Sequence, residues 1–257
     1  MNYLTKKDII LPKRNPKSHK GDNGKLLIIG GSKDYVGAIA LAGLAALRTG
    51  VDWVTIATLE KVGWAINCLT PDLVVKKLKS WNVNKLLTLE KDFSAVLIGN
   101  GINKQTWIKN YIKKSKRPLI IDADAIKSIN LQDIDNALLT PHQGEFDILL
   151  KNSKLNKKNY KKQLKNNIIL LKGKIDNIIT KSKTLYNKTG NPGMTKAGTG
   201  DVLAGLAAGF KAQGLSNKQS AINASYINGA LGDLQLKKKK GYFFIASDLL
   251  IDIKKVL

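Results

Sequence analysis

Residues with the clearest chemical promise lie between Asn191 and Gly205, which read Asn-Pro-Gly-Met-Thr-Lys-Ala-Gly-Thr-Gly-Asp-Val-Leu-Ala-Gly. Gly190, Gly193, Gly198 and Gly200 make a loop whose backbone can approach a ligand closely. It runs into a segment with apolar residues at 202, 203, 206, 207 and 210, a helical spacing. The first amides of such a helix point outward with partial positive charge, so Gly198, Thr199 and Gly200 form a candidate anion hole for a phosphoryl group. Asp201 falls in the first turn and faces the same space, where it could act as a general base. A plainer reading stands beside this one: Asp201 complements the helix dipole and Gly200 closes a turn.

Other residues carry the same ambiguity. Lys172 follows the apolar run Ile168–Leu171 and precedes Gly173, so it either ends a strand facing a ligand or is one more solvated lysine. His142 follows Thr140-Pro141 and either meets a ligand or caps the next helix. Asp122 and Asp124 end an apolar run, where they cap a helix from Ala125 or serve Mg²⁺. Glu145 reads as an early-helix acid, stabilising by position. Ala38 and Gly101 bring no chemistry of their own, and packing accounts for them as well as close backbone approach does.

These residues need a scaffold, and the chain alternates strand and helix patterns. Lys25–Gly30 is a continuous apolar run ending in Gly-Gly-Ser, which fits a strand buried on both faces. Val36–Thr49 reads as a small-residue helix stopped by Gly50. Further strands are expected at Trp53–Thr58, Ala95–Gly99, Pro118–Asp122, Ala137–Thr140 and Asn167–Leu171, with a hairpin at 177–180 and 184–186. Helices are expected at Thr199–Gln213, Asn217–Leu236 and Ser247–Lys255, the last with Ser247 as N-cap. The pattern predicts an α/β domain with a mostly parallel sheet and helices on both faces. Ligands bind beyond the carboxyl ends of such strands, and the candidate residues sit there.

Asn191–Gly205 resembles the signature of the ribokinase-like family, most closely that of the NAD(P)H-hydrate dehydratases. His19-Lys-Gly-Asp-Asn-Gly24, Ile29–Ala38, Gly99-Asn-Gly101, Asp122-Ala-Asp-Ala125, Thr140-Pro-His-Gln-Gly-Glu145 and Leu171-Lys-Gly173 match in the same order, from residue 19 to residue 248. Asn100 stands where the family usually has proline, and Lys174-Ile-Asp176 departs from its common pattern. The resemblance implies a three-layer α/β/α sandwich and a repair reaction. ADP, or ATP, phosphorylates the C6 hydroxyl of hydrated NADH or NADPH, and phosphate then leaves. It implies Ala38, Gly101, His142 and Asp201 as contacts for the hydrated nucleotide, and Lys172, Gly173, Lys174, Ile175, Asp176 and Gly200 for the adenine nucleotide. Mg²⁺ and a homo-oligomer, a tetramer in relatives, are implied as well. Residues 1–18 leave no room for the epimerase domain of many relatives, so the expectation is one domain over 1–257 acting on the S form, and whether a separate epimerase exists is left open. A vitamin-precursor alcohol kinase would use the same Gly-Thr-Gly-Asp and is the alternative.

Composition narrows the remaining classes. The chain has 257 residues, a length that needs neither metal nor disulfide to bury a core. The longest apolar stretch, Val36–Leu47, is too short for a membrane span, and Met1–Lys20 lacks the apolar core of a signal peptide. One cysteine, Cys68, makes the reducing cytoplasm the expected compartment, and two histidines argue against a zinc site. A net charge of +24 invites a nucleic-acid reading. Only Arg14, Arg48 and Arg117 are arginine, however, and twelve of the seventeen residues from Lys151 to Asn167 are Lys or Asn. That is a compositional bias over solvated faces rather than a groove for bases. The field still draws in anionic small molecules such as nucleotides.

Overall fold

The computed structural model describes residues 2–257. Chain order runs β1 (Lys25–Ile29), α1 (Val36–Leu47), β2 (Trp53–Leu59), α2 (Glu60–Leu69), β3 (Val74–Leu78), α3 (Val83–Leu89) and β4 (Ala95–Ile98). It continues with α4 (Trp107–Lys114), β5 (Leu119–Ile121), β6 (Leu138–Leu139), α5 (Gln143–Asn152) and β7 (Ile168–Leu171). The hairpin β8 (Asp176–Ile179) and β9 (Thr184–Asn187) precedes α6 (Thr199–Ala212) and α7 (Asn217–Lys238). The sheet order is β3-β2-β1-β4-β5-β6-β7-β8-β9. Every pair from β3 to β7 is parallel, and β8 and β9 add antiparallel at one edge.

Apolar residues on both pleat faces explain the three layers. Leu26 and Ile28 of β1 pack with α1, α6 and α7, while Leu27 and Ile29 pack with α3, α4 and α5. Both faces are therefore covered, as a parallel sheet requires. Strand β1 pairs with β2 on one side and with β4 on the other, so the chain reverses direction across the sheet between β1 and β4. That switch point opens a crevice at the carboxyl ends of the strands.

The expected strands all form, with edges shifted by a residue or two. Strand β3 was not anticipated, because Lys76 and Lys77 break its apolar pattern. As an edge strand it gains from them, since charge there discourages pairing with another chain. The expected helix Ser247–Lys255 is corrected to two 3₁₀ turns, Ala246–Leu250 and Ile253–Lys255, and Ser247 is not an N-cap. Asp248 turns back to accept from the Ile245 amide at 2.9 Å, and Asp252 accepts from Gln235 of α7 at 3.0 Å. Those bonds hold the segment in short turns. Likewise the helix expected from Ala125 is a 3₁₀ stretch, Ala123–Ser128, and the Asp122 side chain makes no cap bond to it. Among the described residues no helix is long and apolar enough to cross a membrane.

Small residues let α1 and α6 touch backbone to backbone. A Cβ on Gly205 would run into the Ala42 carbonyl, and one on Gly209 would lie 2.8 Å from the Ala46 carbonyl oxygen. Gly205→Ala gains up to about 1 kcal/mol of helix propensity. It also forces two rigid helices apart, and overpacking of this kind costs ~1–3 kcal/mol. The steric effect wins because the clash is with backbone, and a net loss of stability is expected on urea unfolding. An unchanged or raised midpoint would contradict this account of the α1–α6 contact.

Candidate active site

Four strands deliver side chains to the crevice. Asn100 follows β4, Asp122 follows β5, Thr140 follows β6 and Lys172 follows β7. Asp122 is 2% exposed and holds the group together. Its Oδ1 accepts from Thr140 Oγ1 at 2.8 Å and from Lys172 Nζ at 3.0 Å, and its Oδ2 accepts from Asn100 Nδ2 at 2.8 Å. The same Asn100 Nδ2 donates to Asp201 Oδ1 at 2.7 Å. Residues far apart in sequence thus meet in one hydrogen-bonded chain.

Helix α6 aims its N-terminus into this cluster. Gly198 at the N-cap has φ of 93°, a left-handed conformation that a side chain would strain. A Cβ there would also meet Leu41 and Ala246. Among the described residues the amides of Gly198, Gly200 and Asp201 donate to no acceptor. Thr199 N makes only a 3.4 Å bond to the Lys196 carbonyl. The Thr199 hydroxyl faces inward and donates to the Met194 carbonyl at 2.7 Å, so it braces the loop. Lys172 Nζ lies 3.4 Å from where a Cβ on Gly200 would sit, which places an ammonium beside the free amides. Together they make a concentrated positive pocket for an anion.

Burial, repulsion from Asp122 and the nearby Glu145 push the Asp201 carboxyl up to about 7, against the Asn100 hydrogen bond and the Lys172 charge. A carboxyl poised there exchanges a proton at neutral pH, as a general base must. For Lys172, burial alone would pull the ammonium down, but Asp122, Glu145 and Asp201 outweigh it and raise its pKa. It therefore keeps its charge.

The other sequence-derived candidates take graded positions. Gly101 has φ of 62°, and a Cβ on it would lie 3.1 Å from the Ala38 Cβ and 2.7 Å from that of Tyr35. Ala38 and Gly101 therefore meet at the rim beside Asn100. His142 pairs its backbone with Lys172, while its ring, 59% exposed at the rim, caps α5. His142 Nδ1 accepts from the Gly144 and Glu145 amides at 3.0 and 3.3 Å, and Glu145 Oε2 accepts from the His142 amide at 2.9 Å. This capping box leaves the imidazole proton on Nε2. Between β7 and β8, Gly173 N donates to Asp176 Oδ1 at 3.0 Å, and Ser225 Oγ of α7 donates to Asp176 Oδ2 at 2.7 Å. Asp176 closes the loop on which Gly173, Lys174 and Ile175 are exposed. Asp124 pairs with Lys127 at 2.9 Å.

Sequence reasoning missed the bridging role of Asn100 and the contributions of Thr140 and Ser225. For Asn100 a signal existed, since an amide stood where the resemblance called for proline. Thr140 lay inside a recognised motif with nothing to mark its hydroxyl, and Ser225 sits in a helix with little amphipathic pattern.

The family model for NAD(P)H-hydrate dehydratase matches residues 26–255. The ADP-dependent (S)-NAD(P)H-hydrate dehydratase of Nitrosopumilus maritimus is 36% identical over 96% of this chain and 93% of its own. A ribokinase-like superfamily protein of Enterococcus faecalis superposes with a TM-score of 0.87, 26% identity and coverage of 99% of this chain and 96% of that one. The ADP/ATP-dependent NAD(P)H-hydrate dehydratase of Bacillus subtilis, co-crystallised with ATP and Mg²⁺, gives a TM-score of 0.81 at 26% identity, covering 99% and 97%. The chain spans about half the length of the bifunctional NAD(P)H-hydrate repair enzymes it also matches. Fold and site together define a ribokinase-like α/β protein. The chain belongs to the NAD(P)H-hydrate dehydratase family.

The raised Asp201 carboxyl has a stability consequence with a definite sign. The folded state holds this proton more tightly than the unfolded chain, whose carboxyl is ordinary. The group's contribution is therefore fully present below pH 4 and is lost as pH rises through about 7. Asp201→Asn removes that loss while keeping an acceptor for Asn100. Urea unfolding at pH 8 is expected to show the variant more stable by roughly 1–4 kcal/mol, each pH unit of displacement being worth about 1.36 kcal/mol. The difference should vanish near pH 4; equal stability at pH 8 would sink the burial argument.

Proposed function

We propose that this chain is an ADP-dependent (S)-NAD(P)H-hydrate dehydratase, which restores NADH or NADPH from its C6-hydroxylated form. One observation carries the reading: the Asp201 carboxyl, in the first turn of α6, lies next to the free amides of Gly198 and Gly200, and Lys172 Nζ approaches Gly200. In this reading base and anion hole would serve one transfer. Hydroxide is a poor leaving group and phosphate a good one, so the enzyme's task is to exchange one for the other.

In this reading Asp201 Oδ2 takes the proton of the C6 hydroxyl as that oxygen attacks the nucleotide's terminal phosphorus. The amides of Gly198 and Gly200 and the Lys172 charge stabilise the oxygens of the transferring phosphoryl group. The ring nitrogen then pushes out phosphate, breaking the C6–O bond, and loss of a proton from C5 restores the C5=C6 double bond. Ala38, Gly101 and His142 would line the hydrated nicotinamide. Lys172, Gly173, Lys174, Ile175 and Asp176, with Gly200, would hold the adenine nucleotide.

No trio of metal-ligating side chains converges among the described residues, and the oxygens of Asp122 are taken by Thr140, Lys172 and Asn100. The Mg²⁺ expected with the nucleotide does not fit a protein cage here and would be carried on the nucleotide's phosphates. A cytoplasmic homo-oligomer belongs to the same proposal.

Incubation of purified protein with (S)-NADHX, Mg²⁺ and either ADP or ATP tests it. Recovery of the reduced-nicotinamide absorbance is expected with ADP, and Asp201→Asn should lower kcat by about 10²–10⁴-fold. Protein that is folded and binds nucleotide, yet gives no recovery with either donor, would instead be a kinase of a small alcohol.

A further inference from the structure

The two carboxylates at the centre of the site differ in how they are held. Asp122 accepts from three side chains, while Asp201 accepts from Asn100 alone. Among the described residues Asp201 Oδ2 has no hydrogen-bond partner. Asn100 itself is fully buried, and its orientation is unambiguous. Its two amide hydrogens are each claimed by a carboxylate oxygen, and its Oδ1 has no donor facing it. Turning the amide over would set Oδ1 against two acceptors, so the carboxylates dictate the only favourable arrangement.

The backbone locks this side chain in place. The Asn100 carbonyl accepts from Gly31 N at 2.9 Å, across the β1–β4 switch point. A Cβ on Gly30 would lie 2.5 Å from the same carbonyl, so the two strand ends approach closely. Gly99 before it has φ of 126°, and Gly101 after it has φ of 62°. Rigid main chain on both sides therefore delivers one amide between two acids that would otherwise repel.

We propose that Asn100 is a positioning residue, which ties Asp201 Oδ1 to Asp122 and so presents Oδ2 as the atom that takes the substrate's proton. The proposal rests on the dehydratase reading and adds to it a residue buried behind the base and bonded to both carboxylates. Without the tie, Asp201 is free to rotate and faces Asp122 with no donor between them. Its surroundings also include Lys172 from the end of β7 and Glu145 from α5. Of these only Lys172 favours the ionised form, so the loss of Asn100 leaves two acids against one ammonium. The direction of the change follows: the base should ionise at higher pH.

The test compares wild type with Asn100→Ala and with the isosteric Asn100→Asp, measuring kcat and KM from pH 5.5 to 9.5. In Asn100→Ala the acid limb of kcat is expected to move to higher pH by about one unit. The loss should be roughly tenfold at pH 6 and should shrink above pH 8.5, with KM for nucleotide little changed. Asn100→Asp puts a third carboxylate between the other two and should move the limb further. A merely structural role would lower kcat evenly at every pH. If Asn100→Ala does not fold, Asn100→Ser retains a polar group too short to reach both acids and is expected to shift the limb in the same direction.

A second measurement does not depend on turnover: ¹³C NMR titration of the aspartate carboxyls, with the Asp201 signal assigned through Asp201→Asn. Asp201 should titrate at higher pH in Asn100→Ala than in wild type. Superimposable titrations or pH profiles in wild type and variants would overturn the proposal. Wild-type protein without dehydratase activity would sink the functional reading instead, and the NMR titration would still decide the role of Asn100.

Discussion

The site is organised around a carboxylate that has almost no water. A carboxylate removed from solvent must be given donors, or its burial costs several kcal/mol. Asp122 receives three, from the residues that end or follow β4, β6 and β7. Each donor is correctly aimed only if its strand stops where it does. A one-residue slip in any of them would send the donor to the opposite face of the sheet. The register of the central strands and the geometry of the crevice are therefore set by the same contact.

Around that hub the two carboxylates are treated unequally. Asp122 is saturated with donors and links the strand ends. Asp201, held by one amide and half-enclosed by α6, is pushed towards neutral pH by burial and by its acidic neighbours. Pairs of acids whose environments separate them in this way are a common means of assigning chemical roles. The same environment makes the folded state less stable at neutral pH and above, where that carboxyl must ionise without water.

What brings Asp201 within reach of Asn100 is packing rather than electrostatics. Gly205 and Gly209 let α6 lie against Ala42 and Ala46 of α1. With larger residues there, the N-terminus of α6 would stand further from the strand ends. The small residues of both helices serve this close approach. Gly198 completes it by turning the chain into the helix with its free amides outward.

Much of this was legible in the sequence. Short β-branched runs ending in glycine or aspartate read as strands covered on both faces, and Asp201 with its glycines marked a candidate anion site at a helix start. Those features are local, since hydrophobic periodicity and the backbone freedom of glycine act over a few neighbouring residues. The lysine-bearing edge strand β3 and the 3₁₀ turns after Ala246 were hidden because their conformation is set by distant partners. Which atoms meet in the crevice was hidden for the same reason. Nothing in the sequence near Asn100 says that its amide lies between Asp122 and Asp201, 22 and 101 residues further on. Only the order of the strands, and the distance at which α6 packs, decide that contact. By itself the sequence determined the kind of layers and the kind of chemistry; the tertiary structure decided which carboxylate is held by three donors and which is left with one oxygen free.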